Sequence, residues 1–176
     1  MQITALGNQY RPLCGILDAR AFVNGIVGLM ATGGSTNLVL HLPAMARAAG
    51  IELTLEDFDE ISSVTPLMAK VYPNGLADVN HFHAAGGLSY MIGELLADGL
   101  LHQDVKTVVG DRLDMYQNEP KLTPAGLEFH PATTQSQNEK ILRPARDPFQ
   151  SSGGLKQLSG NLGKGMIKTS AVTPER

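Results

Sequence analysis

The chain has a single cysteine, Cys14, among its 176 residues. A lone thiol excludes an intrachain disulfide, and it cannot by itself supply the several thiolates of an iron–sulfur cluster or a zinc site. Any such cofactor would need ligands from elsewhere. Also lacking is any stretch near the roughly 20 apolar residues of a membrane helix. The opening MQITALGNQYRPLC brings Arg11 and Pro12 before any long apolar run, so it does not read as a signal peptide. No membrane partner and a cytoplasmic location are the expectations. There is neither a GxxxxGK[ST] P-loop nor a GxGxxG turn. The formal net charge is only −3, with 18% charged residues, so nothing draws the chain toward nucleic acid. What is present is an apolar fraction of 43%, ordinary for a soluble globular protein.

From Ile16 to about Leu101, Ala, Leu, Met and Ile return at helical spacing between glycine and proline punctuation. One helix is predicted from Asp18 toward Met30. A second follows Gly33 and Gly34, where Ser35, Thr36 and Asn37 are all favoured caps and Leu38, Leu42, Met45 and Ala49 form an apolar stripe ended by Gly50. Pro43 lies inside that helix and should bend it. Thr54 and Asp57 fit a capping box, while Thr65 and Pro66 fit the start of a helix over PLMAKVY that ends at Tyr72-Pro73-Asn74-Gly75. Gly86 and Gly87 precede LSYMIGELLADG, with Leu88, Ile92 and Leu95 on one face and Gly99 as a left-handed cap. Residues Lys106 to Val109 are read as a strand.

Composition changes after about Tyr116. Residues 117–150 are polar, hold Pro120, Pro124, Pro131, Pro144 and Pro148, and read as a connection. After Gly153 and Gly154, LKQLSGNLGKGMIKTSAV has short mixed runs and glycine turns that suit strands. The expected organisation is residues 1–116 as a mainly helical region, 117–150 as a linker and 151–176 as the first strands of a β-rich unit, an α/β composition.

The motif ATGGSTN, Ala31 to Asn37, sets two flexible glycines before hydroxyl and amide caps, so backbone amides at a helix start would converge on a phosphate or carboxylate. The plainer reading is a well-capped helix. His41, beside the apolar stripe, reads as a packing histidine before it reads as an acid or base. His81 and His83 share a face only on a strand. Asp57, Asp59 and Glu60 fit a solvated helix face, and Lys156, Lys164 and Lys168 read as surface before they read as contacts for an anionic substrate.

The blocks VNGIVGLMATGGSTNLVLHLPAMARAAGI, LTLEDFDEISSVTPLMAKVYPNGLADVNHFHAAGGL and LLADGLLHQDVKTVVG are similar, in order and spacing, to the dihydroxy-acid and phosphogluconate dehydratase family over roughly Ala19 to Gly110. PLMAKVYPNGLADVNHF and SSGGLKQLSGNLGKGMIKTSAV resemble its phosphogluconate branch. The resemblance implies the later part of a large α/β first domain followed by the start of a β-rich second one. It implies a hydro-lyase that takes water from 6-phosphogluconate to give 2-keto-3-deoxy-6-phosphogluconate in the Entner–Doudoroff pathway, as part of a homodimer. The sister activities on dihydroxy acids or unphosphorylated aldonates, and a non-catalytic oligomerisation module, remain the alternatives.

The resemblance also implies an iron–sulfur cluster, 4Fe–4S, whose cysteines stand in CDK-type and CGG-type contexts ahead of this segment. The serine base of a TDGRFSGG-like motif would follow Arg176. Cys14, in PLCGILDA, matches neither cysteine context. No catalytic or metal-ligating residue is therefore expected here, and the segment alone should be inactive. Gly33, Gly34, Ser35, Thr36 and Asn37 are the expected substrate-binding residues, for a small sugar-acid phosphate.

Overall fold

A computed structural model describes residues 10–172; the opening residues 1–9 weighed above as a leader lie outside them, as do the last four. Helices fill the first half and strands lie toward the end. The helices are α1 (Ala19–Thr32), α2 (Leu38–Ala48), α3 (Leu55–Val64), α4 (Val79–Ala84) and α5 (Gly87–Ala97), and two separate antiparallel hairpins follow, β1 (Asn118–Thr123) with β2 (Gly126–Pro131) and β3 (Lys156–Gly160) with β4 (Gly163–Ile167). No helix among the described residues is long and apolar enough to cross a membrane.

Helix α1 is the hub. Asp18 caps it by accepting the Ala21 N–H at 2.9 Å, and its run of apolar residues is buried on more than one side. Val27 and Ala31 join a core with Met68, Tyr90, Met91, Leu95 and Leu142, while Ile26, Leu29 and Met30 join a second core with Val39, Phe58 and Leu155. A helix hydrophobic this far round belongs in the middle of a packed layer.

Several expectations change on contact with tertiary structure. The segment after Thr65 is not a helix. Leu67, Met68 and Ala69 are fully buried and extended, bridged to Gln150 and Leu142. Burial on both faces removes any alternation, and a short apolar run of that kind cannot be told from helix by periodicity. On α2 the inward residues are Val39 and Ala46, with Leu38, Leu42 and Pro43 partly buried, whereas Met45 and Ala49 are exposed. The buried seam thus runs through Leu38, Val39, Leu42 and Ala46, keeping the first half of the predicted stripe and leaving its second, with Leu42 beside Gly25 of α1. On α5, Tyr90, Met91 and Leu95 face the core while Leu88 is exposed. Residues 106–109 form a turn in which the Thr107 hydroxyl accepts the Val109 and Gly110 amides. The Thr54–Asp57 capping box and the left-handed Gly99 are both present.

The connection over 117–150 is built rather than open. It carries β1 and β2, and its later part packs Leu142 and Ala145 into the core. Its backbone returns along the extended segment, with Arg143 N–H donating to Met68 O and Phe149 N–H to Leu67 O, both at 2.8 Å. Beyond it, Leu155 is buried completely and leads into β3, as the glycine-punctuated pattern predicted strands there.

Candidate functional site

The C-terminal end of a helix leaves carbonyls without partners, and a buried end must find them elsewhere. At the end of α1 the chain finds them in four places. Gly33 turns left-handed at φ 55°, so its N–H and that of Gly34 return to Met30 O and Leu29 O. This is a Schellman-type close, and it needs a residue without Cβ strain. The amides of Met68 and Ala69 both donate to Ala31 O. Gly154 N–H donates to Met30 O at 3.0 Å. The Asn74 side-chain amide donates to Gly33 O at 2.8 Å and to Thr32 O at 3.2 Å.

Ser170 completes this cluster by donating from one hydroxyl toward Asn74 Oδ1 at 2.8 Å and Gly154 O at 3.1 Å. Gly154 lies so close to Gly33 that a Cβ on it would collide with the Gly33 backbone. Three distant segments, around Asn74, Gly154 and Ser170, are thereby fixed against the loop that starts ATGGSTN.

The result is a cleft of about 620 Å³, walled by Thr32 to Thr36, by Val71 to Asn74, by Val79 and Phe82 of α4, and by Lys168. Of the five expected substrate contacts, Gly33, Gly34, Ser35 and Thr36 line it. Asn37 does not; it stands at the cap position of α2, where its side chain makes no capping hydrogen bond. The amides of Leu38 and Val39 are engaged by Ser35 O and Thr36 O, and those of Leu40 and His41 by Asn37 O. The first turn of α2 therefore offers fewer open donors than its sequence suggested. Ser35 and Thr36, both exposed, carry the polar chemistry of the loop into the cleft.

Lys168 is a cleft residue that the sequence undervalued. It is partly buried, and that burial pushes its ammonium below the usual lysine range. Lys156 and Lys164, by contrast, are ion-paired to Asp59 and Glu56 of α3. Asp59 also accepts the Gln157 N–H at 2.8 Å, and that bond, ahead of Lys156, holds its carboxyl below the ordinary range. So Asp57, Asp59 and Glu60 do not act as one solvated face: Asp57 caps α3, Asp59 holds β3, and Glu60 is exposed.

The remaining candidates separate. His41 is exposed and does not pack. His81 takes part in the capping box of α4 with Asp78, and His83 is exposed on the same short helix, so the pair points apart. Cys14 is exposed in a 3-10 turn, Leu13–Gly15. A slightly larger hollow of about 720 Å³ lies on the outer side of α2 beside Pro43, Arg47 and Glu52, away from every residue of the glycine loop.

Comparison with known proteins follows the same lines. The family model described as dihydroxy-acid/6-phosphogluconate dehydratase N-terminal matches residues 1–117. The chain is 56% identical over 176 residues to a phosphogluconate dehydratase of Rhizobium meliloti, covering 99% of this chain and 29% of that protein. It is 49% identical to the phosphogluconate dehydratase of Escherichia coli K12, with the same shares of 99% and 29% covered. A dihydroxy-acid dehydratase of Caldanaerobacter subterraneus is more distant, at 38% over 91% of the chain and 27% of that protein. The chain thus spans less than a third of the length of the curated relatives it matches, and by the family model and these identities it belongs to the dihydroxy-acid/6-phosphogluconate dehydratase family.

Proposed function

We propose that this chain is a segment of a phosphogluconate dehydratase, which removes water from 6-phospho-D-gluconate to give 2-keto-3-deoxy-6-phosphogluconate in the Entner–Doudoroff pathway. The observation that carries the reading is the gradient of identity: 49–56% to proteins named phosphogluconate dehydratase, against 38% to one named dihydroxy-acid dehydratase. The reaction takes a proton from carbon 2 and expels the carbon 3 hydroxyl as water. The enol left behind tautomerises to the keto acid.

This segment's part is to hold the substrate. Gly33 and Gly34 keep backbone rather than side chain at the cleft wall, and Ser35, Thr36 and Lys168 offer donors to hydroxyl and anionic oxygens. The described residues do not fit an iron–sulfur cluster, because Cys14 is solitary and exposed and no group of three or more His, Cys, Asp or Glu side chains converges. We assign the thiolates of the expected 4Fe–4S cluster, and the base, to parts of the enzyme outside these 176 residues. The whole enzyme is read as a cytoplasmic homodimer acting on a sugar-acid phosphate, with no nucleic-acid or membrane partner.

The test is a substrate comparison on the full-length protein that carries this segment. Keto acid should form fastest from 6-phosphogluconate. Preference for a branched dihydroxy acid or for unphosphorylated gluconate would assign the chain to a sister activity instead.

A further inference from the structure

Three lysines lie on or just after the β3–β4 hairpin, and the fold uses them differently. Lys156 and Lys164 are engaged by carboxylates of α3, and so serve to dock the hairpin. Lys168 pairs with no carboxylate among the described residues, and its partial burial in the cleft wall holds its pKa below the usual lysine range. Its backbone is not free to wander, because Ser170, two residues on, is tied to Asn74 and Gly154. A partly buried cation held in a cleft wall without a counter-charge bears a desolvation cost that an entering anion offsets.

The anion's chemistry follows from the donors around it. An ammonium has three N–H donors, and the Ser35 and Thr36 hydroxyls of the same cleft add one each. A phosphomonoester, with close to two negative charges and three terminal acceptor oxygens, uses that set more fully than a carboxylate does. We propose that Lys168 binds the phosphate group of a phosphorylated sugar acid, with Ser35 and Thr36 donating to its remaining oxygens, and so distinguishes phosphorylated from unphosphorylated substrates. The proposal rests on the functional reading above and adds to it the residue that sets substrate class.

The experiment uses the full-length enzyme with Lys168→Met, Lys168→Arg and Thr36→Val. Readouts are kcat and KM for 6-phosphogluconate, the affinity for gluconate as substrate or competing inhibitor, and inhibition by inorganic phosphate. Removing a charge-assisted hydrogen bond should raise the 6-phosphogluconate KM by about 10- to 100-fold in Lys168→Met and weaken phosphate inhibition alongside it. Gluconate affinity should stay within about twofold, and Lys168→Arg should recover much of the loss. Thr36→Val, on an exposed loop, leaves Lys168 in place and should weaken phosphate inhibition several-fold; unchanged inhibition there overturns the proposal even if Lys168→Met does not fold. Equal loss for gluconate and 6-phosphogluconate, or an unchanged KM in folded Lys168→Met, also overturns it. A wild-type enzyme without turnover of 6-phosphogluconate overturns the functional reading itself and this inference with it, whereas turnover with an unmoved KM removes the inference alone.

Discussion

The two hairpins are built alike and held differently. Each is a two-stranded antiparallel ribbon, β1–β2 pairing six residues a side and β3–β4 five, and such ribbons are marginal in water unless something supports them. β3–β4 is supported by the helical layer, although it too leaves Leu158, Leu162 and Ile167 exposed. Leu155 anchors its start in the core, Met166 packs against the same cluster, and Asp59 and Glu56 of α3 reach its lysines. β1–β2 leaves Leu122, Leu127 and Phe129 exposed, and is joined at its base, where Ala132 N–H donates to Gln117 O. The ribbon that is tied down is the one that delivers Lys168 and Ser170 to the cleft. Stability here is placed where geometry has to be kept.

The strongest way to break that contrast is Leu155→Ala. The residue is wholly buried, so truncation should cost about 3 kcal/mol and lower the melting temperature by roughly 6–12 °C in a chain of this size. A loss under about 1 kcal/mol in chemical denaturation would show that the hairpin is not anchored there.

Asp59→Asn should act next, at about 1 kcal/mol, a figure reduced because the carboxylate is partly exposed. The pH dependence has a definite sign. Since the folded pKa of Asp59 is lowered, its contribution is complete above the unfolded value of about 3.9 and is lost as pH falls through the folded one. Protection of the Gln157 amide, its exchange measured against that of unstructured peptide at the same pH, should fall in that window in the wild type, and in the Asn variant should already be low at neutral pH and change little into acid. Smallest of all, Leu122→Ser on the projecting ribbon should change stability by less than about 0.5 kcal/mol, because the side chain is 87% exposed. A large loss there would mean that β1–β2 is more tightly integrated than its exposure indicates.

What could be read from the sequence was what short range decides. The start of α1 at Asp18, the Thr54–Asp57 box and the Gly99 close each rest on residues within a turn of one another. The extended segment 67–71 was illegible because burial on both faces leaves no alternation to detect. The glycine loop was recognised as a motif, yet its geometry depends on partners far along the chain: Asn74 is 41 residues from Gly33, and Ser170 is 96 from Asn74. Lys168 looked like Lys156 and Lys164 for the same reason, since only the fold shows which lysines meet α3. ATGGSTN, together with the blocks that follow it, therefore named the family correctly, while saying little about what completes the cleft.

Asn74, Gly154 and Ser170 hold the Gly33–Asn37 loop in place. Native-state hydrogen exchange in wild type and Ser170→Ala tests this most directly, because local opening is read amide by amide. Losing about 1 kcal/mol of hydrogen bonding should speed exchange at Gly33, Gly34 and Gly154 roughly fivefold while the amides of α5 keep their wild-type rates. Unchanged exchange at those glycines, or an equal rise throughout α5, would contradict the claim.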